Sequence, residues 1–233
     1  MSKKPKKLTK ANQGYWDRIK RARSWVGLAQ ELDSDDQEGV KADPQQLFVL
    51  YWVAFNSMYG RVNETDRGGY LRPIDDDAKW FIGQVCHLDS EGRIRSAMEA
   101  GSLRRDAKTL LCSHFLLDGY WRHGFTGAVK SKLDDQAEKA LAALESDSFE
   151  PYLTTLIWGR LRVLRNQIFH GGSTNRDSLN AHTLGPALRI MKALVPAFLE
   201  VMEARDDKET DWPKIPYPRW DSPQHPEPKG PRG

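Results

Sequence analysis

The chain has 233 residues, 39% of them hydrophobic and 29% charged, with a net charge of +3 and two cysteines. That length suits one helical domain with appendages, and 8 Trp, 7 Tyr and 8 Phe supply large areas to bury in a core. No apolar run nears the ~20 residues that span a bilayer, no apolar signal region follows the basic N-terminus, and no zinc spacing or disulfide framework exists. These features point to a cytoplasmic protein with no membrane partner, in which Cys86 and Cys112 are reduced and buried.

The charge is unevenly placed. Residues 1–23 carry nine Lys or Arg and one acid, so +8 resides there and −5 in the rest. Residues 1–12 therefore read as a basic disordered arm, able to attract phosphate without reading sequence. From Gly14 to Glu31, Trp16, Ile19, Arg23, Val26 and Ala29 recur at helical steps and predict an amphipathic helix. Asp43-Pro44 supplies an N-cap and a first-turn proline to the most apolar helix, which runs to a stop at Gly60. Its near-complete apolar surround marks it as central. Asp75, Asp76 and Asp77 open the next helix, where the dipole favours negative charge. Shorter helical pieces fill residues 89–118. An aromatic loop follows at residues 118–125, read as a tucked loop of core rings in preference to a surface that stacks bases. A helix over Ala128–Leu144 comes next.

Pro151 or its neighbour starts the decisive helix, which runs to about His170 and stops at Gly171-Gly172. At 100° per residue, Leu153, Ile157, Leu161, Leu164 and Ile168 line its core side. Arg162, Asn166 and His170, spaced by four, form a polar row on another face, with Arg165 at the border. The last helix spans Thr183 to Arg205, and Pro196 is expected to kink it. The fold class is all-α, with residues 13–206 as the helical domain. Residues 207–233, rich in proline, form an extended or disordered tail whose Trp212, Tyr217 and Trp220 can pack across the body.

The chemistry available to the polar row is that of phosphoryl transfer. His170 is the type of side chain that moves protons near neutral pH. Arg165 offers a planar fork of donors to a phosphate. Asn166, one turn before His170, can orient the imidazole or a ribose hydroxyl, and Arg162 extends the cationic row for RNA binding. The plain structural alternative is that His170 caps helix carbonyls and the arginines are solvated or paired.

Arg165-Asn-Gln-Ile-Phe-His170 resembles the R-x4-6-H motif of the HEPN superfamily, including the polar residue after the arginine, and Leu50-Tyr-Trp-Val-Ala-Phe-Asn-Ser-Met-Tyr-Gly60 is similar to a core helix of Apea-like HEPN proteins. The resemblance covers about Trp16 to Met202. It implies a HEPN-like helical bundle and a homodimer formed through the motif helix. It further implies an RNase site that needs neither metal nor other cofactor, in a toxin–antitoxin or anti-phage defence setting with an antitoxin or defence partner. His170 is then the acid/base, Arg165 the phosphate clamp and Asn166 the positioning group, while Asn56 is structural. The rival expectation is a catalytically silent HEPN module that binds RNA, nucleotide or a partner protein. A third is an interaction protein that uses its tail.

Overall fold

The computed structural model describes residues 10–34, 42–60, 75–146, 148–170, 182–205 and 212. Among them every regular element is helical: α1 (Lys10–Ser34), α2 (Pro44–Tyr59), α3 (Asp75–Leu88), α4 (Arg93–Glu99), α5 (Leu103–Leu111), α6 (Asp118–His123) and α7 (Gly127–Leu144). One long helix follows in three parts, α8 (Glu150–Leu153), a π-helical stretch (Thr154–Leu161) and α9 (Arg162–Phe169), and α10 (Leu184–Ala204) closes the series. The all-α class expected from the sequence is the class observed.

Local chemistry explains several boundaries. Asp43 caps α2 by accepting from the Gln45 amide at 2.7 Å, and Pro44 occupies the first turn, where no amide is needed. Gly60 ends α2 in an extended conformation, so its stop does not use the left-handed freedom of glycine. Its carbonyl accepts instead from Arg18 of α1. Thr126 caps α7 by accepting from the Val129 amide at 3.3 Å. Residues 118–123 form a short helix where an irregular loop is expected, ended by Gly124 at a φ of 69°.

α2 is central, as its apolar surround implies. It packs against α1, α3 and α10, and α10 also packs against α4 and α5. The core stripe of α1 is Tyr15, Ile19, Ala22, Val26 and Ala29; Arg23 points outward to pair with Glu203. Tyr15 adds a 2.6 Å hydrogen bond from its hydroxyl to the Met202 carbonyl, tying α1 to the end of α10. α10 runs unbroken through Pro196. Trp212 lies edge-on to Tyr15, Trp80 and Phe81, with centroids 5.1, 5.2 and 5.9 Å away, so the start of the C-terminal segment is anchored on the core. Tyr217, Trp220, Gly171 and Gly172 lie outside the described residues.

The two cysteines differ from expectation. Both are free thiols, but Cys112 is exposed at the end of α5, because its turn places it past the last buried residue, Leu111. Cys86 is half-buried, and burial, with help from Glu150 and Asp89, pushes its thiol up to about 12. No helix among the described residues is long and apolar enough to cross a membrane.

Candidate functional site

The site is built on the long helix that starts at Glu150. Its middle is a π stretch of eight residues, where hydrogen bonds reach one residue further than in an α-helix. The Thr155 hydroxyl bonds back to the Pro151 carbonyl at 2.9 Å, occupying an acceptor that an α ladder would use at the point where the wide turns begin. The buried face through this stretch is broader than one narrow stripe: Leu153, Leu156, Ile157, Arg160, Leu161 and Leu164 are all buried. Ile168, near the outer end, is only partly buried.

Arg160 is the surprise on that face, 0% exposed with no carboxylate paired to it among the described residues. Its Nε donates to the Leu111 carbonyl at 3.1 Å, and its Nη1 donates to Gln136 Oε1 and to the Gly159 carbonyl, each at 3.1 Å. Nη2 has no acceptor. Burial lowers its pKa from the usual arginine range to about 10. Arg160 thus ties the end of α5 and the middle of α7 to the motif helix. A signal for it was present in the sequence, since it lies three residues from Ile157 and four from Leu164, on the core side.

One turn further the helix returns to α geometry and its polar side chains reach the surface. Arg165 Nη1 donates to Asn166 Oδ1 at 2.9 Å, and its guanidinium lies 4.7 Å from the centroid of Phe169. Its Nε is buried without an acceptor, and no carboxylate pairs with it among the described residues. The Asn166 oxygen is therefore held by Arg165. His170 is exposed at the C-cap; its backbone amide bonds to the Asn166 carbonyl at 2.9 Å, and its imidazole has no partner among the described residues. Arg165, Asn166 and His170 are thus brought together on the last turn and a half of one helix.

Arg162 behaves differently. Its Nη2 is 2.5 Å from Asp118 Oδ2, its Nε donates to the Trp158 carbonyl at 3.3 Å, and its guanidinium lies 5.1 Å from the Trp158 ring. The expected RNA-binding cation is engaged in docking the start of α6 onto the motif helix. Gln167 completes that dock, donating from Nε2 to the Phe115 carbonyl at 2.8 Å, while its Oε1 is buried without a donor. No sequence spacing pointed to Asp118, Phe115 or Gln167, because the contacts join segments more than forty residues apart.

The candidate residues do not line the open depression of about 320 Å³ at the start of α2, which Asp43, Gln45, Gln46 and Val49 enclose. No group of three or more His, Cys, Asp or Glu side chains among the described residues is placed to hold a metal ion. Asn56 accepts from the Tyr59 hydroxyl at 2.5 Å on α2. Compared with known protein families, with curated proteins and with solved structures, the chain matches none. The class that the fold defines is an all-α domain, and the HEPN resemblance rests on the sequence motif.

Proposed function

We propose that this protein is a metal-independent endoribonuclease of the HEPN type, working as a homodimer in a toxin or anti-phage defence setting. The observation that carries the reading is the state of Arg165 and His170. Both sit on an outer helix end, neither is neutralised by a carboxylate among the described residues, and Asn166 bonds to Arg165 through its side chain and to the His170 amide through its carbonyl. Arg165 differs from the structural Arg160 in what it holds: Arg160 bridges to α5 and α7, whereas the hydrogen bond of Arg165 goes to its neighbour Asn166.

The chemistry follows from the groups. The neutral imidazole of His170 takes the proton of a ribose 2′-hydroxyl, whose oxygen attacks the adjacent phosphorus. The guanidinium of Arg165 offers donors to the phosphoryl oxygens as negative charge builds there. A protonated imidazole then returns a proton to the leaving 5′-oxygen, and the second copy of the chain supplies a second imidazole for that step. Asn166 holds Arg165 and presents its amide to the substrate. Phe169 and His170 are exposed at this helix end, which agrees with a site completed by a second copy facing it.

The test is product chemistry. Purified protein incubated with structured RNA in EDTA is expected to leave 2′,3′-cyclic phosphate and 5′-hydroxyl ends. Intact RNA, or 3′-hydroxyl ends, would sink the proposal. One observation favours the silent-module reading: the Arg162–Asp118 pair removes a cation from the row. Under that reading RNA binds and is released uncut.

A further inference from the structure

Residues 113–126 bridge α5 and α7 and hold an unusual density of rings. His114 lies 4.0 Å from Phe115, 5.0 Å from Tyr120 and 4.7 Å from Phe125, measured between ring centroids. Tyr120 meets Trp121 edge-on at 5.1 Å. A tucked loop would hide these rings. Instead Trp121 is 49% and Phe125 51% exposed, and Phe169 on the motif helix is 48% exposed.

The cluster is rigidly placed. Trp121 Nε1 donates to the Phe115 carbonyl at 2.8 Å, and that same oxygen accepts from Gln167 of α9. The polar edge of the indole is thereby satisfied inward, and its exposed part is hydrocarbon. Asp118, the acid of this segment, is neutralised by Arg162, whereas Arg122 and His123 are exposed and have no partner among the described residues. The patch therefore combines open ring surface with an unpaired cation, Arg122, between Trp121 and Phe125 in sequence. A contact between two copies of this same patch across a two-fold axis would bring the Arg122 charges toward each other. A phosphodiester backbone with splayed bases meets both properties at once.

We infer that residues 114–125 form a stacking platform for the unpaired bases of single-stranded RNA, with Arg122 on the backbone phosphate. The inference rests on the ribonuclease reading and names the substrate class of that site, namely loops and single strands, since the bases of a duplex are already stacked on one another. The Asp118–Arg162 and Phe115–Gln167 contacts fix the platform to the helix that carries Arg165 and His170, so bases held there are registered against the motif.

Binding is measured by fluorescence anisotropy on the full chain with a labelled 2′-O-methyl oligouridylate, which lacks the 2′-nucleophile and stays intact. Trp121→Leu and Phe125→Leu keep apolar bulk and remove the aromatic face, and each is expected to weaken binding about tenfold. Arg122→Gln, at an exposed position that does not endanger folding, weakens it and flattens its salt dependence. A 2′-O-methyl duplex of equal length competes poorly. Unchanged affinity in all three variants, no binding by wild type, or equal competition by duplex overturns the platform. So does loss of self-association in sedimentation with oligonucleotide affinity intact, which would make the patch an interface between copies. Uncut RNA with platform-dependent binding refutes the nuclease alone, whereas cleavage that the three variants leave unchanged refutes the platform alone.

Discussion

Arg160 and Arg165 stand five residues apart on one helix and live in opposite worlds. Arg160 is sealed in the core, with Nε and Nη1 donating to the Leu111 carbonyl, Gln136 and the Gly159 carbonyl and Nη2 without an acceptor. Arg165 reaches the surface, bonded only to its neighbour Asn166 and lying near the exposed Phe169 ring. Between them the helix changes from π to α geometry. The comparison teaches that residue type does not assign a role: one arginine joins helices, whereas the other bonds within its own helix turn. A π stretch next to a polar cluster is a frequent companion of functional sites, because it redirects side chains that a regular helix would point elsewhere.

The largest expected effect breaks the outer half of this comparison. Replacing Arg165 and His170 together by alanine is expected to slow RNA cleavage roughly a hundred- to ten-thousandfold. The double variant should be little slower than the worse single one, because residues that act as a unit are non-additive. Kinetics of the two single variants and the double on one RNA read this out, and simple multiplication of the losses would argue for independent roles.

The inner half responds in stability. Arg160→Ala leaves the Leu111 carbonyl and Gln136 without their donor and opens a cavity, costing about 3 kcal/mol. Arg160→Met fills the volume and removes a buried charge that lacks a counter-ion, so it costs less than the alanine. Urea melts of both variants check the order, and an alanine variant as stable as wild type would remove Arg160 from its structural role.

A smaller effect concerns acid. The Arg189 guanidinium, through its hydrogen bonds, and then Ser102 hold the buried Asp106 carboxyl below the usual carboxylate range. A depressed folded-state value contributes stability above the unfolded value of about 3.9, and that contribution is lost as the pH falls through the folded value. Thermal melts of wild type and Asp106→Asn between neutral pH and the acid range are expected to converge as the solution is acidified. Parallel curves would assign the difference to shape alone.

Much of the fold was legible because apolar spacing and capping chemistry are local. The Asp43-Pro44 start and the central position of α2 both follow from neighbours in sequence. The motif row was legible for the same reason, as Asn166 and His170 lie one helical turn apart. Arg160 was hidden by its charge, although its position on the core face was readable. The dock between α6 and α9 could not be read, because Asp118 and Arg162, or Phe115 and Gln167, meet only after folding. The exposure of Trp121 and Phe125 runs against the tucked-loop expectation for a related reason: aromatic composition alone does not say whether rings point in or out.

The most direct test is a single comparison of RNA cleavage in EDTA by wild type and by His170→Ala, with thermal melting followed on the same preparations. The account predicts equal melting, since His170 is exposed and its imidazole bonds to none of the described residues. It also predicts a rate at least about a hundredfold lower in the variant. Equal rates in the two proteins, or no cleavage by wild type, would contradict the assignment of this helix end to catalysis.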